Sequence, residues 1–405
     1  MQIGMKRLNF VDLVHLNNRT KLAKLITIEP HDVHIGRQNS STSGKILSPV
    51  RFVAYDGGGF GTIDQPLVNC SNNLEVKITD TIEDINSIDI FYFHMNAPEK
   101  IKYAKGSKKR QSFMVYTMES EVHSFGGESW SNADFRMWYN LDLSFPEPAT
   151  YFNVKTHLID LLSSPKVEFE QKETQSPIVW VVSNCAAFNG REKFIETLMN
   201  KISLDSYGGC LKNKFSHPSE HMKGNIELYS YYKFVVAIEN SNCEDYVTEK
   251  LVHVVASGSI PIVAGKNNKP NYLKFLPKNS FINIYDYKSV DDLVKHLKKI
   301  ESDKSEYEKY IWFKRSHNFT RETLAQMSRE KLIETAKKAL GYEENKQFFH
   351  GLVSKEKSEN KLCKLARYLR DTPSEKIDLE IEKNRINRPA ASEQYRVTFN
   401  TQSLN

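Results

Sequence analysis

The chain has 405 residues, of which 40% are hydrophobic and 26% are charged, a composition typical of soluble globular proteins. Its length exceeds that of one ordinary domain and predicts two core domains. The net charge of +6, from 56 basic and 50 acidic side chains, does not require a nucleic acid partner, although it suits an anionic substrate. No run approaches the roughly 18 apolar residues that a membrane span needs, and the N-terminus is too polar for a signal-peptide core.

The first half of the chain is predicted to be an α/β domain. Residues 1–48 have the character of an extension, and regular alternation begins at Pro49. Apolar runs at 51–55, 74–79, 88–93 and 112–117 predict strands. The glycine-rich connector at 56–61 lacks the spacing of a phosphate loop and is interpreted as a flexible turn. We expect this domain to cover 49–165 and to join the second half through a polar, proline-bounded segment around 160–177.

The second half shows strands that alternate with helices, which predicts a mostly parallel sheet. Strands are expected at 178–183, 202–207 and 281–286. One helix is predicted to begin at Asn189 with Glu192 as the capping partner, and another at Ser289. Residues 305–340 are predicted to be helical, with Trp312 and Phe313 packed inward. This domain should cover 166–345, followed by a helical or irregular segment at 346–405 that includes an edge strand at 395–399.

The central stretch, 231–265, predicts a strand, a polar turn, a helix and a second strand. An apolar run at 234–238 ends at the turn formed by Glu239, Asn240 and Ser241. An amphipathic helix at 248–257 follows, and Gly258 ends it before the apolar run at 260–264. In a doubly wound sheet such a turn lies at the carboxyl ends of the strands, where nucleotides bind.

The start of this helix carries a lysine that suggests an anion site. Asp245 or Thr248 is expected to cap the helix, so that Glu249 and Lys250 lie in its first turn. A cation beside the positive helix end is unfavourable unless an anion such as a diphosphate neutralises both. The alternative is a solvated Glu249–Lys250 pair without a ligand.

Arg191 repeats this arrangement one strand–helix unit earlier, because it lies at a helix start that follows the strand at 178–183. Two cations converging on one crevice would form a diphosphate clamp, with the arginine able to bind two oxygens. The alternative is an ordinary surface arginine.

Glu119 is the candidate general base of the first half. It follows the strand at 112–117 and is expected to face a cleft between the domains. Spacing alone does not separate it from Glu121 and Glu128.

The cysteines and acidic residues give no metal-site pattern. No cysteine pair or Cys/His spacing fits zinc, and no Asp-x-Asp occurs in the chain. Five cysteines leave at least one thiol in a monomer. We expect mostly reduced, half-buried thiols, and the spacing does not decide whether pairs such as Cys185–Cys210 form.

At these residues the sequence resembles the α1,3-fucosyltransferase family. AIENSNCEDYVTEKLVHVVASGSIPIVAG at 237–265 resembles the donor-binding motif, and SNCAAFNGREKFIETL at 183–198 and LDSYGGC at 204–210 resemble two further blocks. MES at 118–120 resembles the acceptor-side glutamate motif. The resemblance spans roughly 110–345 and looks closest to the plant-type enzymes that fucosylate the N-glycan core.

The resemblance implies a GT-B fold, with two Rossmann-like domains whose parallel sheets face a cleft. It implies an inverting transfer from GDP-fucose to the 3-OH of GlcNAc in a glycan or glycoprotein, with no cofactor, no essential metal and no nucleic acid. Glu119 would be the base. The donor-binding positions implied are Arg191, Tyr207, Gly208, Glu239, Asn240, Tyr246, Thr248, Glu249 and Lys250.

The resemblance also implies a Golgi location, although no anchor or signal peptide is visible in this chain. The core-type enzymes tend to carry a Cys-x-x-Cys near the C-terminus, and here Cys363 is followed by Lys364-Leu365-Ala366, so that pair cannot form. Two alternatives remain at this stage. One is a GT-B transferase that uses another sugar nucleotide, and the other is a non-catalytic glycan-binding protein on the same fold.

Overall fold

A computed structural model gives the fold of the chain. The structure describes residues 50–55, 67–70, 74–79, 89–94, 112–120, 122–123, 133–173, 175–215, 222–315, 317, 319–355, 361–372 and 376–379. The predicted extension at 1–48, the glycine-rich connector at 56–61, the edge strand at 395–399, and Glu121 and Glu128 lie outside these residues.

Contacts between residues divide the chain into two compact units. The first unit comprises Met1–Trp138, Asp142–Ala149 and Lys357–Ala391, and the second comprises Tyr139–Leu141, Thr150–Glu356 and Ser392–Asn405. This division differs from the predicted boundary at 165, because the helix Val154–Leu162 packs its apolar residues into the core of the second unit. The segment predicted to join the halves therefore belongs to one of them.

The first unit contains a six-stranded sheet in the order β2-β3-β1-β4-β5-β6. Its strands are β1 (Val50–Tyr55), β2 (Leu67–Cys70), β3 (Leu74–Thr79), β4 (Ile90–His94), β5 (Ser112–Tyr116) and β6 (Phe135–Met137). Only the β2–β3 pair is antiparallel among these described strands. The four predicted strands are confirmed, whereas β2 and β6 were not predicted because each is only three or four residues long.

The helix Lys361–Asp371 completes the first unit. Leu365 and Ala366 are fully buried in the same hydrophobic cluster as Val76 of β3. Cys363, on this helix, forms a disulfide with Cys70 of β2 across 293 residues of sequence. The disulfide and the cluster together attach a distant helix to this sheet.

The second unit contains a five-stranded, entirely parallel sheet in the order β11-β10-β9-β7-β8. Its strands are β7 (Ile178–Val182), β8 (Leu204–Gly208), β9 (Phe234–Val236), β10 (Ile260–Val263) and β11 (Ile282–Asn283). The run at 281–286 is shorter than predicted as a strand, because Asn283 caps a 3-10 turn at Ile284–Asp286. The prediction of an α/β protein with parallel sheets is confirmed.

All of the described helices except the last belong to the second unit. In chain order they are α1 (Val154–Leu162), α2 (Arg191–Met199), α3 (Met222–Ser230), α4 (Glu249–Ser257), α5 (Val290–Ser302), α6 (Lys304–Glu308), α7 (Trp312–Arg315), α8 (Arg321–Ala325), α9 (Arg329–Leu340) and α10 (Lys346–Phe348), followed by a π-helical turn at Phe349–Val353 and, in the first unit, α11 (Lys361–Asp371). The predicted helices at 248–257 and from Ser289 are confirmed, since Thr248 and Ser289 are their N-caps and Gly258 ends α4 with φ of 80°.

Both faces of the second sheet are buried. Successive side chains of a strand point to opposite faces, so Trp180 of β7 lies in one hydrophobic cluster and Val179 in another. The first cluster includes Phe194 of α2, and the second includes Leu251 of α4. Burying an aliphatic side chain completely stabilises the fold by about 1.5–3 kcal/mol. Because both faces of these strands are buried, nearly every position along them is apolar.

Candidate functional site

The strand order of the second sheet defines a topological switch point. From β7 the chain moves outward on one side to β8, and then returns to place β9 on the other side of β7. In open parallel sheets, ligands bind beyond the carboxyl ends of the strands where the order reverses. The loops that leave β7 and β9 carry Arg191 and the Glu239–Lys250 turn, so the predicted residues lie at this point.

Four polar side chains lie around the start of α4, next to the turn that follows β9. The Thr248 backbone N–H donates to Glu239 Oε1 at 2.8 Å, and the Thr248 hydroxyl lies 2.9 Å from Glu239 Oε2. The Lys250 ammonium donates to Thr248 Oγ1 at 2.9 Å and lies 3.2 Å from carboxylate oxygens of both Glu239 and Glu249. The helix start therefore already holds one buried carboxylate, and Lys250, whose side chain is 20% exposed, is the cation paired with it.

Burial and charge shift the pKa values of these groups in different directions. Burial raises the pKa of Glu239, which is 1% exposed, although Lys250 and the Thr248 bonds act against that shift. Burial alone would lower the pKa of Lys250, but Glu239 and Glu249 outweigh it, and the pKa is raised. Burial acts to raise the pKa of Glu249, but Lys250 outweighs it and the pKa is lowered. Lys250 is therefore held in its charged form.

Arg191 bridges the two loops instead of projecting from the helix start. Its side chain is 1% exposed. Nη1 donates to the Ile238 carbonyl at 2.9 Å, Nη2 to the Asn184 carbonyl at 3.0 Å, and Nε to Glu192 Oε1 at 3.3 Å. The interpretation of Arg191 as an ordinary surface arginine is wrong, because a buried guanidinium joins the β7 and β9 loops.

Asn189 has a different role from the predicted helix cap. The N-cap of α2 is Gly190, with φ of 69° and no side-chain bond, so the predicted pairing of Asn189 with Glu192 does not occur. Asn189 is buried, and its amide donates to the Glu239 carbonyl at 2.8 Å and to Asn242 Oδ1 at 2.9 Å. The side chain joins the two loops of the switch point, a role that sequence spacing does not reveal.

The turn after β9 is further fixed by Asp245, which has a positive φ of 61°. Its carboxylate accepts from the Leu141 N–H at 3.1 Å and pairs with Lys274 at 2.9 Å. Tyr246, which is 1% exposed, packs edge-to-face against Tyr139 at 5.0 Å between ring centroids. Asn240 is half-buried, and its Oδ1 accepts from the Ser241 hydroxyl at 3.1 Å. Asn240 is thus more accessible than Tyr246, another predicted donor contact.

Tyr207 and Gly208 end β8 beside β7. Tyr207 is largely buried, and its hydroxyl lies 3.3 Å from that of Tyr232, which donates to Asp205 Oδ2 at 2.7 Å. A disulfide between Cys185 and Cys210 joins the loops that follow β7 and β8. Because two disulfides are present and only Cys243 keeps its thiol, the expectation of mostly reduced cysteines is wrong. Sequence spacing carries no information on which thiols come together in space.

The backbone of Val182 lies too close to Gly208 for a side chain to fit there. We therefore expect Gly208→Ala to destabilise the second unit strongly. Its φ is 84°, and an added Cβ would lie 2.5 Å from the Val182 carbonyl oxygen. Gly190→Ala is the matched control, because Gly190 has φ of 69° but no atom within 4 Å of the added Cβ. The control should lose about 1–2 kcal/mol for the left-handed backbone alone. Gly208→Ala should lose roughly 1–3 kcal/mol more from overpacking, measured by urea unfolding. Equal losses would contradict the steric argument.

Glu119 lies in the first unit, directly after β5. It is half-buried, and its backbone N–H donates to Thr117 Oγ1 at 3.0 Å. Thr117 and Ser120 on either side are fully buried. The bond fixes the turn that carries the carboxylate at the carboxyl end of the strand.

Other features of the second unit lie apart from these residues. A groove of about 1010 Å³ is lined by residues of β11, α5 to α7 and the end of α9, and no predicted site residue is among the described residues that line it.

Within the described ranges, no cluster of three or more His, Cys, Asp or Glu could hold a metal ion. No helix in the described part of the chain is long and apolar enough to cross a membrane.

The fold and the switch-point residues define an α/β protein with a cationic side chain held at the topological switch point of a parallel sheet. The model of glycosyltransferase family 10 (fucosyltransferase), C-terminal part, matches residues 170–383, which is more than half of the chain. The chain therefore belongs to glycosyltransferase family 10, the fucosyltransferases.

Individual proteins share parts of the sequence. The GDP-fucose protein O-fucosyltransferase 3 of Gallus gallus is 35% identical over 146 residues, which are 34% of this chain and 30% of that protein. The alpha-(1,3)-fucosyltransferase fut-5 of Caenorhabditis elegans is 30% identical over 253 residues, 59% of this chain and 62% of that protein. The chain thus spans less than two thirds of these relatives. A solved α1,3-fucosyltransferase structure with GDP-fucose aligns with a TM-score of 0.47 and 18% identity, covering 79% of this chain and 95% of that chain.

Proposed function

We propose that this protein is an inverting fucosyltransferase that takes fucose from GDP-fucose. The observation that carries the proposal is the Lys250 ammonium, held charged between Glu239 and Glu249 at the switch point of the second sheet. A fixed cation at this position suits the diphosphate of a sugar nucleotide. The family description and the relatives' names support fucose and GDP as the sugar and the nucleotide.

We assign the proposed contacts with GDP-fucose to the site residues whose side chains are partly exposed. Lys250 binds the diphosphate, and Glu249, which is 31% exposed, turns to the ribose hydroxyls. Asn240, in the turn after β9, donates a hydrogen bond to GDP-fucose. The buried residues at the site act by shaping it, and these are Arg191, Tyr207, Gly208, Tyr246 and Thr248. Arg191 also contributes positive potential, since its charge is close enough to affect Lys250.

The proposed reaction is a single displacement. The Glu119 carboxylate takes the proton of an acceptor hydroxyl as its oxygen forms a bond to the anomeric carbon of fucose. The bond between that carbon and the diphosphate oxygen breaks on the opposite face, so the configuration inverts and GDP leaves. Lys250 and Arg191 stabilise the charge that develops on the diphosphate, a role that requires no metal in this proposal.

The proposed acceptor is the 3-OH of GlcNAc in a glycan, including the core of an N-glycan. The resemblance of the MES, SNCAA and DSYGGC blocks to the plant-type enzymes supports this choice. A second candidate is a Ser or Thr hydroxyl of a protein, because a relative at 35% identity is named a protein O-fucosyltransferase. In both cases the chemistry at the donor is the same.

A Golgi location is proposed with the same activity. Family resemblance supports it, and the two disulfides suit an oxidising compartment of the secretory pathway.

Transfer of labelled fucose tests the proposal directly. The protein is incubated with labelled GDP-fucose and EDTA, together with GlcNAc-terminated glycans, N-glycan core glycopeptides and folded protein acceptors that lack glycans. We expect transfer to a glycan acceptor, and stabilisation against heat by GDP but not by UDP. Transfer only to the glycan-free proteins would select the second candidate. No transfer to any acceptor together with no GDP binding would refute the function.

A further inference from the structure

We propose that Glu239 is a positioning residue that acts through Lys250 and Thr248 and does not contact the donor. The inference rests on the proposed function, because it assigns how the diphosphate-binding lysine is held. It also divides the two carboxylates beside Lys250 into a permanent partner, Glu239, and an exchangeable one, Glu249.

The geometry distinguishes these two carboxylates. Glu239 is 1% exposed and accepts from both the backbone N–H and the hydroxyl of Thr248, in addition to its ion pair with Lys250. Glu249 is 31% exposed and contacts the same ammonium at 3.2 Å. Turning Glu239 away would leave a buried carboxylate without these partners, which is costly, whereas Glu249 can turn into solvent or towards a ligand.

Glu239 also occupies the position that an anion would otherwise take at the start of α4. A helix start attracts phosphate through its free N–H groups, but the Thr248 N–H already donates to Glu239 at 2.8 Å. The diphosphate is therefore expected to meet the Lys250 side chain and not the helix start itself. The backbone of Glu239 is held in turn by Asn189, whose amide donates to its carbonyl at 2.8 Å.

The charges around Lys250 determine what losing Glu239 should do. Glu239 and Glu249 favour the charged ammonium, Arg191 disfavours it, and His253 of α4 also faces this charge. Burial acts against the charged form. The effect of burial is visible at Lys172, which donates to the carbonyls of Ser230 and Tyr232: burial lowers its pKa to about 7, although the charge of Glu168 acts to raise it. Without Glu239, only Glu249 would oppose burial, and the pKa of Lys250 should fall.

The test compares GDP affinity as a function of pH for wild-type protein and Glu239→Gln, which keeps the shape of the side chain and removes its charge. The dissociation constants are measured by calorimetry from pH 7 to pH 9, and their ratio at each pH cancels the ionisation of GDP. We expect the ratio of variant to wild type to rise about tenfold across this range, as Lys250 loses its proton in the variant alone.

Asp160→Asn is the matched control, because Asp160 is also buried in the second unit and paired with a cation, Arg321, but belongs to α1. It should lower the melting temperature and leave the ratio constant with pH. Glu239→Asp keeps the charge and should also give a constant ratio. A constant ratio for Glu239→Gln, with the variant shown to be folded by its melting transition, would overturn the proposal.

A measurement on the wild-type protein covers the case in which Glu239→Gln does not fold. Titration of the Lys250 ammonium by ¹⁵N NMR should give a pKa above the ordinary lysine value, and a pKa below it would overturn the proposal. Failure of the proposed function would instead appear as no GDP binding by the wild-type protein at any pH.

Discussion

Glu119→Gln is expected to abolish fucose transfer while leaving GDP affinity within about twofold of wild type. The amide cannot accept the proton of the acceptor hydroxyl, and positioned proton removal contributes about 10²–10⁴-fold to the rate. The loss should appear in kcat, because the side chain is proposed to act on the acceptor during reaction and lies on a different unit from the proposed donor contacts. Turnover with labelled GDP-fucose and GDP calorimetry measure the two effects separately.

Glu121→Gln and Glu128→Gln are the controls for this substitution, since sequence spacing alone does not separate the three glutamates. Both should retain activity. If Glu119→Gln remained active and one of these did not, the base would be reassigned to that glutamate. The Glu119 backbone N–H, and not its side chain, donates to the Thr117 hydroxyl. We therefore expect the turn to stay intact when glutamine replaces Glu119.

Lys250→Ala should weaken GDP binding by about tenfold to a hundredfold, because a charge-assisted hydrogen bond contributes roughly 1.5–3 kcal/mol. The rate of transfer should fall as well, since less positive charge faces the leaving diphosphate. The substitution also leaves Glu239 buried without its cation, so a lower melting temperature is expected. Calorimetry with GDP and single-turnover transfer measure binding and chemistry.

Lys295→Ala provides a comparison in which an exposed lysine of α5 is removed from the same unit. It should leave GDP affinity and melting temperature unchanged, which excludes an effect of net charge alone. GDP affinity unchanged in Lys250→Ala would show that the diphosphate is bound elsewhere and would remove the main support for the proposed site.

Much of the second unit could be predicted from the sequence, because its buried parallel strands are apolar runs and its helices carry clear caps. Thr248 and Gly258 mark both ends of α4. Short elements were missed for a physical reason: β6 has three residues, and its pairing with β5 depends on tertiary contacts. The helix at 154–162 was missed for a different reason: it adjoins a polar segment, and its buried apolar face is evident only in the folded structure.

The sequence predicts which residues lie at the candidate site, but not how buried each side chain is or what it contacts. The sequence identified Lys250 and Arg191 as cations above one sheet edge, and the structure places both at the switch point. It could not show that backbone carbonyls of Ile238 and Asn184 bind the Arg191 guanidinium, because those partners lie 47 and 7 residues away and depend on the folded loops. Asn189 was missed as a link for the same reason.

The arrangement of the five cysteines provides an internal measure of correct oxidation. Cys70–Cys363 and Cys185–Cys210 account for four of them, and the Cys243 thiol is 0% exposed. A correctly oxidised native chain therefore presents no thiol to an alkylating reagent, while the same chain unfolded without reductant presents one. Any label on the native protein identifies molecules with a missing or exchanged disulfide, so preparations can be sorted by covalent integrity before an activity is assigned to them.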